Sequence, residues 1–353
     1  MFKDRTESKL VLLRCNMKAK SVARVPTRRL AGPARLRLRP CLLWQAGDPA
    51  GDQKEWTMTG LAYLDGVYLA KDEARISPFD RGFLFADSVY EVTAVYGGQP
   101  IDLERHLDRL ERSLKELGYA LLPDRRELET MHRRLIAENQ VSEGFLYLQV
   151  SRGAYGARDF VAPDPDKTRL TVFAFADSKA LIDQPASRQG VKVVSLPDIR
   201  WARRDIKSTG LLAQALAKTE AKARGADDAW LVGPDGEVTE AASANAWIVT
   251  KEGEIITRAL SNAILAGVTR HALFDALGQK GAKITERSFT LAEAAAAVEA
   301  FNTSAVALVA PVVELDGKPL GSGRPGPVTR SLQRLYYQAI GADVARAAPW
   351  LVD

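Results

Sequence analysis

Three tight-turn sequences, each set between apolar runs, constrain the fold more than any other feature of the chain. Asp65-Gly66 separates Ala62-Tyr-Leu64 from Val67-Tyr-Leu-Ala70, and Gly233-Pro-Asp-Gly236 and Lys251-Glu-Gly-Glu254 divide further short apolar stretches. Such residues accept the positive φ angles of tight hairpin turns. Hairpins demand antiparallel pairing, so a sheet made only of parallel, helix-connected strands is excluded. Residues 145–150, 170–175, 191–196, 246–249 and 305–315 also read as strands. Between them lie helical patterns. Leu103, Leu107, Leu110, Leu114 and Leu117 form one apolar stripe over 102–117, ended by Gly118. Further helices are predicted over 125–139, 210–224, 267–279 and 290–299. Strands and helices segregate without a repeat, and the fold class is α+β.

At 353 residues the chain is long enough for two domains. The first is expected over 58–177 and the second over 190–353. Residues 178–189 lose the strand pattern and read as a linker. The formal net charge of +5 misleads. Residues 1–57 hold 13 Lys+Arg and 5 Asp+Glu, a net of +8, so the remaining residues carry −3. That segment has no apolar core followed by a small-residue cleavage site, and Asp4 and Glu7 stand where transit peptides avoid acids. It is expected to be a disordered extension, or to arise by translation from an upstream start, with Met58 the working start.

Composition removes several chemistries. Three histidines and two cysteines, Cys15 and Cys41, leave little for a metal site or a histidine-activated nucleophile, and no metal is expected. Gly321-Ser-Gly-Arg-Pro-Gly326 has the letters of a dinucleotide loop, but its prolines and the absence of a βαβ unit make it a surface turn. No apolar run reaches the roughly 18 residues of a membrane helix. Nucleic-acid binding would rest on residues 1–57 alone, where charge supplies only non-specific affinity.

Three stretches point to chemistry together. Lys207, in Asp205-Ile-Lys-Ser208, lies between a strand and a helix, where active-site groups are commonly held. A partly desolvated lysine is a usable imine-forming amine. Glu240 opens an apolar strand, where a carboxylate either faces water or needs a cation. Gly267-Val-Thr-Arg270 starts a helix whose free N–H groups suit a phosphate. An amine, a buried carboxylate and a phosphate cradle are what pyridoxal phosphate requires.

The same stretches resemble a known family. Phe79-Asp-Arg-Gly-Phe-Leu-Phe-Ala-Asp-Ser-Val-Tyr-Glu-Val92, His106-Leu-Asp-Arg-Leu110, Asp198-Ile-Arg-Trp-Ala-Arg-Arg-Asp-Ile-Lys-Ser208, Thr239-Glu240 with Ser243-Ala-Asn245, and Gly267-Val-Thr-Arg270 occur in the order found in fold-type IV pyridoxal-phosphate enzymes. The chain resembles their D-amino acid aminotransferase branch most, over about 61–340. The resemblance implies a two-domain fold with pyridoxal 5'-phosphate as cofactor. It implies that Lys207 is the Schiff-base lysine and proton shuttle, and that Glu240 pairs with the pyridine nitrogen. Arg109, Val268, Thr269 and Ser304 would bind the phosphate, and Leu265 would back the ring. Tyr90 would lie beside the substrate, and Arg158 would reach into the neighbouring subunit's site. A cytoplasmic homodimer acting on a D-amino acid and a keto acid, 2-oxoglutarate or pyruvate, is therefore expected.

Two departures bear on substrate choice and on cofactor retention, in that order. The loop expected to carry Arg-x-His reads Gly156-Ala-Arg-Asp-Phe160, with Phe160 in place of histidine. A carboxylate clamp depends on charge-assisted bonds, and Arg203 or Arg204 could compensate. Ala305 and Val306 replace the hydroxyls usual on the phosphate side. Branched-chain or (R)-amine transaminase and aminodeoxychorismate lyase-type activities are the alternatives on this fold. A non-catalytic module tethered to nucleic acid is the alternative outside it. By helical spacing alone Arg109 would be a solvated residue, lying off the leucine stripe.

Overall fold

The computed structural model describes residues 59–156, 158–278 and 284–352. The basic segment 1–57, both cysteines and Met58 lie outside the described residues. Two sheets and nine helices make up the described part. The first sheet holds β1 (Leu61–Leu64), β2 (Val67–Ala70), β3 (Ser88–Tyr96), β4 (Gln99–Pro100), β5 (Glu143–Ser151) and β6 (Thr171–Ser178). Their order is β2-β1-β6-β5-β3-β4, antiparallel throughout. The β1–β2 turn is the Asp65-Gly66 pair, with φ of 49° and 92°. The second sheet holds β7 (Val191–Pro197), β8 (Asp228–Val232), β9 (Val238–Ala241), β10 (Asn245–Val249), β11 (Ile255–Thr257), β12 (Ile284–Glu286), β13 (Glu299–Ser304), β14 (Leu308–Leu315) and β15 (Lys318–Pro319). Its order is β12-β11-β10-β13-β14-β7-β8-β9, with β15 on β14. Only β11–β12, β14–β7 and β7–β8 pair in parallel. The α+β class and the three hairpins stand as the sequence implies.

The helices are α1 (Arg81–Phe85), α2 (Leu103–Glu116), α3 (Arg125–Glu138), α4 (Pro185–Gln189), α5 (Leu212–Ala223), α6 (Val268–Gly278), α7 (Leu291–Ala296), α8 (Pro327–Ala339) and α9 (Val344–Ala347). The leucine stripe of α2 is buried as its spacing implies. Leu107, Leu110 and Leu114 pack with Met131 and Leu135 of α3 and Leu146 and Leu148 of β5. The second sheet is buried on both faces. Trp230, Val238 and Phe289 share one cluster, while Trp247, Phe301, Leu332 and Tyr336 share another. Each fully buried side chain of this size stabilises the fold by roughly 1.5–3 kcal/mol.

Two boundaries differ from the sequence reading. The strand expected over 305–315 begins only at Leu308, as β14, because residues 305–307 form the turn that joins it to β13. Ser304 Oγ accepts the Ala307 N–H at 3.1 Å, and Leu308 takes φ +51°, so the chain turns although its residues stay apolar. The helix expected over 290–299 ends at Ala296, and Glu299 begins β13. Its start is fixed by a capping box in which Thr290 and Glu293 exchange bonds. In the pattern-poor stretch 178–189, Leu181 and Ile182 are buried, and their N–H groups both donate to Glu143 Oε1, at 2.6 and 2.9 Å. A side-chain acceptor replaces the strand partner there. Gly321-Ser-Gly-Arg-Pro-Gly326 is a turn leading into α8.

Candidate active site

A cavity of about 280 Å³ gathers residues from both halves of the fold. Lys207 lies in the loop between β7 and α5, and that loop is tied to β3. Tyr90 N–H donates to the Lys207 carbonyl at 3.0 Å, and Thr209 N–H to the Ser88 carbonyl at 3.1 Å. Val89 and Ser208 form a bridge between the two segments. These bonds fix the lysine backbone, and the ammonium stands 4.1 Å from the centre of the Tyr90 ring. A loop pinned on both sides holds a reactive group with little positional freedom.

Glu240 is on β9 and is fully enclosed. Arg200 Nη1 donates to its Oε2 at 2.5 Å, and Leu265 N–H and Asn245 Nδ2 donate to its Oε1 at 2.7 and 3.0 Å. Burial raises the Glu240 pKa above the usual glutamate value, and the adjacent Arg200 opposes that rise without cancelling it. Arg200 is itself held by Asp198, from Nε at 3.0 Å and Nη2 at 2.8 Å. Thr239 Oγ1 donates to the same aspartate at 2.6 Å.

Arg109 is not solvated, which corrects the reading from helical spacing. Its side chain is 10% exposed. Nε and Nη2 donate to the two oxygens of Glu91 at 2.8 and 2.7 Å, and Nη1 donates to the Ala266 carbonyl at 2.9 Å. His106 Nδ1 also contacts Glu91, at 2.7 Å. The charge on Arg109 lies beside the start of α6. In that helix the bond from His271 N–H reaches the Gly267 carbonyl, so the N–H groups of Val268 and Thr269 precede the helical ladder. Such unclaimed amides and the helix dipole favour an anion.

Of the nine residues singled out from sequence, eight line this cavity: Tyr90, Arg109, Lys207, Glu240, Leu265, Val268, Thr269 and Ser304. Arg158 does not. It is exposed, and its guanidinium stacks 4.9 Å from the Phe85 ring centre and 4.8 Å from that of Phe160. Arg81 holds this loop, donating to the carbonyls of Asp159, Phe160 and Val161 at 2.6, 3.2 and 3.2 Å. Of the two arginines that could compensate for Phe160, Arg203 is committed to Asp205 and Glu116, whereas Arg204 lines the cavity. Sequence reasoning missed Glu91, Asp198, Arg200 and Asn245. All four stand within the stretches that carry the family resemblance, but nothing in their spacing reveals their partners.

The donor set suits pyridoxal phosphate. An amine, an enclosed carboxylate already held by an arginine, and unclaimed helix amides beside a second arginine share one cavity. Among the described residues no helix is long and apolar enough to cross a membrane.

Residues 88–315 match the model of the class IV amino-transferases. A D-alanine aminotransferase of Bacillus licheniformis is 35% identical over 289 residues, 80% of this chain and 98% of that protein. One from Staphylococcus aureus is 36% identical over 281 residues, 79% of this chain and 97% of that protein. Among solved structures, a branched-chain amino acid aminotransferase of Escherichia coli superposes with a TM-score of 0.73 at 22% identity, over 80% of this chain and 95% of that one.

Proposed function

The chain belongs to the class IV aminotransferase family and is a pyridoxal-phosphate-dependent aminotransferase, and on that premise we propose that it moves an amino group between a D-amino acid of alanine type and a 2-keto acid, 2-oxoglutarate or pyruvate. The observation that carries the reading is the shared cavity of Lys207, Glu240 and the α6 amides. Similarity to D-alanine aminotransferases over 80% of the chain supports the choice of substrate class.

Bound in this cavity, pyridoxal phosphate supplies a carbonyl that carries the amino group and a ring that acidifies the α-proton. The residues of the chain do the rest. Lys207 Nζ would hold the cofactor carbonyl carbon, and once released would take the α-proton from the substrate and deliver it to that same carbon. Its backbone tie to β3 fixes the point from which the side chain reaches the cofactor. Glu240, kept in place by Arg200, Leu265 and Asn245, would hold a proton on the ring nitrogen. Burial lifts the basicity of that carboxylate, which improves its match to a pyridine nitrogen. Arg109, Val268, Thr269 and Ser304 would hold the phosphate, and Leu265 would support one face of the ring. Tyr90 would confine the substrate beside the lysine.

We also propose a cytoplasmic homodimer in which Arg158 reaches a neighbouring cavity. Ile76, Phe79, Phe83, Phe160 and Val161 are exposed apolar side chains, of a kind that a second copy would cover. Static light scattering across a dilution series tests the dimer, and a monomer at all concentrations would overturn it.

Absorbance of the purified protein with D-alanine or L-alanine tests the main reading. A visible cofactor band that bleaches with D-alanine alone supports it. A band indifferent to both enantiomers would favour the branched-chain, (R)-amine or lyase activities, for which Phe160 in place of a histidine is the motivating feature.

A further inference from the structure

Glu240 has two cations to serve. In the role given to it above, its carboxylate holds a proton on the cofactor ring nitrogen, yet an arginine is already bonded to it. Leu265 N–H and Asn245 Nδ2 both donate to Oε1, and Arg200 Nη1 donates to Oε2. A carboxylate offers about four lone-pair sites, so the place left for a ring N–H is on Oε2, the oxygen that Arg200 holds. A cation beside a protonated nitrogen favours loss of its proton. Arg200 alone would therefore work against the task of Glu240.

Asp198 stands on the other side of that arginine. It directly follows β7, its backbone N–H donates to the Val232 carbonyl at 2.8 Å, and its side chain is 0% exposed. Its Oδ1 accepts from the Arg200 backbone N–H at 3.1 Å and from Nε at 3.0 Å, and its Oδ2 accepts from Nη2 at 2.8 Å. The guanidinium is gripped along one edge, and Nη1 is the nitrogen that reaches Glu240. Thr239, the neighbour of Glu240 on β9, donates from Oγ1 to Asp198 Oδ2 at 2.6 Å. The acid that meets the ring and the acid that grips the arginine are thus tied to one strand. Arg204 Nε lies 3.1 Å from the same Oδ2, so Asp198 also faces a second cation that lines the cavity.

The charges act in the same sense. Burial holds the Glu240 pKa above the usual glutamate value, Arg200 pulls it down, and the charge of Asp198 pushes it back up. Arg109, from α2, also feels Glu240, but it is matched by Glu91.

We propose that Asp198 is a positioning residue for the cofactor ring: it holds the Arg200 guanidinium to one edge and offsets its charge, so that Glu240 keeps a proton on the ring nitrogen although an arginine is bonded to it. The proposal rests on the aminotransferase reading for the role of Glu240.

The test loads the full chain with pyridoxal phosphate or with the analogue in which a C–H replaces the ring nitrogen, and compares the two affinities by equilibrium dialysis. The unaltered protein is expected to prefer pyridoxal phosphate. Asp198→Asn is expected to cut that preference by about tenfold or more, the scale on which one neighbouring charge acts. Arg200→Gln is expected to raise it. General loosening of the site would weaken both ligands alike and would move the two variants in the same direction, so the opposite signs are the signature of charge. Glu240→Gln, which should abolish the preference, is the reference. A preference that Glu240→Gln abolishes and Asp198→Asn leaves intact would overturn the proposal and keep Glu240 in its role, as would a preference lowered in both Asp198→Asn and Arg200→Gln. Should Asp198→Asn fail to fold, as its thermal midpoint would show, Arg200→Gln decides: a raised preference supports the proposal, and an unchanged or lowered one overturns it. A preference unmoved by Glu240→Gln would remove that residue from the ring nitrogen and take the proposal with it.

Discussion

Glu91 grips Arg109 with both carboxylate oxygens, at 2.8 and 2.7 Å, from a position on β3 that is 1% exposed. The pair brings a strand of the first sheet and a helix above it to bear on one guanidinium. Its third nitrogen, Nη1, is spent on the Ala266 carbonyl at the mouth of α6. A long, flexible side chain is thereby delivered to the cavity in one orientation. The bidentate pair is geometrically specific as well as strong.

Replacing Glu91 with glutamine is therefore expected to act twice. Removing one partner of a buried ion pair costs about 3–5 kcal/mol of stability. The loosened Arg109 should also weaken cofactor phosphate binding by about tenfold or more, the scale of one charge-assisted bond. Urea unfolding reads the first effect and equilibrium dialysis of pyridoxal phosphate reads the second. Loss of stability with undiminished cofactor affinity would make the pair structural and nothing more.

Acid should destabilise the fold in two stages. His132 is buried, donates from Nδ1 to the Leu128 carbonyl at 2.7 Å, and is held down to a pKa of about 4 by burial. The unfolded chain protonates near pH 6.5, so stability present above that value falls as the pH drops towards 4. From the size of the shift, about 3 kcal/mol is involved. Glu91 is depressed to about 2, against its own burial, by Arg109 and His106. Its contribution is complete above pH 4.5 and is lost as the pH falls towards 2. Urea midpoints at pH 7, 5.5 and 4.5 should decline in the native protein and decline less in His132→Met. Equal slopes would show that another group controls the acid response.

The sequence carried the outline because local rules set it. A leucine stripe, a Thr290–Glu293 capping box and an Asp-Gly turn each act within a few residues. Lys207 and Glu240 were legible because their surroundings are family stretches. Arg109 was ambiguous for a physical reason: a charged residue beside an apolar stripe can equally well face water, and Glu91, 18 positions away, decides the matter. Arg200 was hidden in the same way, since its partner Glu240 lies 40 positions on. The turn at residues 305–307 escaped because Ala305 and Val306 continue an apolar run, while the turn depends on one serine hydroxyl and one positive φ.

The two central residues should fail differently. Lys207→Ala removes both the amine that holds the cofactor and the group that carries the proton, so turnover and the lysine-dependent visible band should vanish together. Glu240→Gln keeps shape but cannot retain charge against the ring nitrogen. It should lower kcat by about ten- to a hundredfold, the worth of a charged hydrogen bond, while the band persists. Stopped-flow spectra with D-alanine distinguish the cases. A Glu240→Gln protein as fast as the parent would remove that residue from the mechanism.

Gly267 sets how closely α6 approaches the carboxylate site. A Cβ added there would stand 2.1 Å from Asn245 Oδ1 and 3.3 Å from its Cγ. Asn245 cannot readily give way, because its Nδ2 bridges Glu240 Oε1 at 3.0 Å and the Leu265 carbonyl at 2.9 Å. Overpacking of this kind costs typically 1–3 kcal/mol. Here the strain falls on the contact that positions Glu240 and on the first amides of α6 at once. Gly267→Ala should therefore lose cofactor affinity and kcat together, with a modest fall in the urea midpoint. Asn245→Ala in the same background removes the obstructing side chain and should restore part of the cofactor affinity. A double variant no better than Gly267→Ala alone would mean that the glycine is needed for the path of the backbone and not for the room beside Asn245.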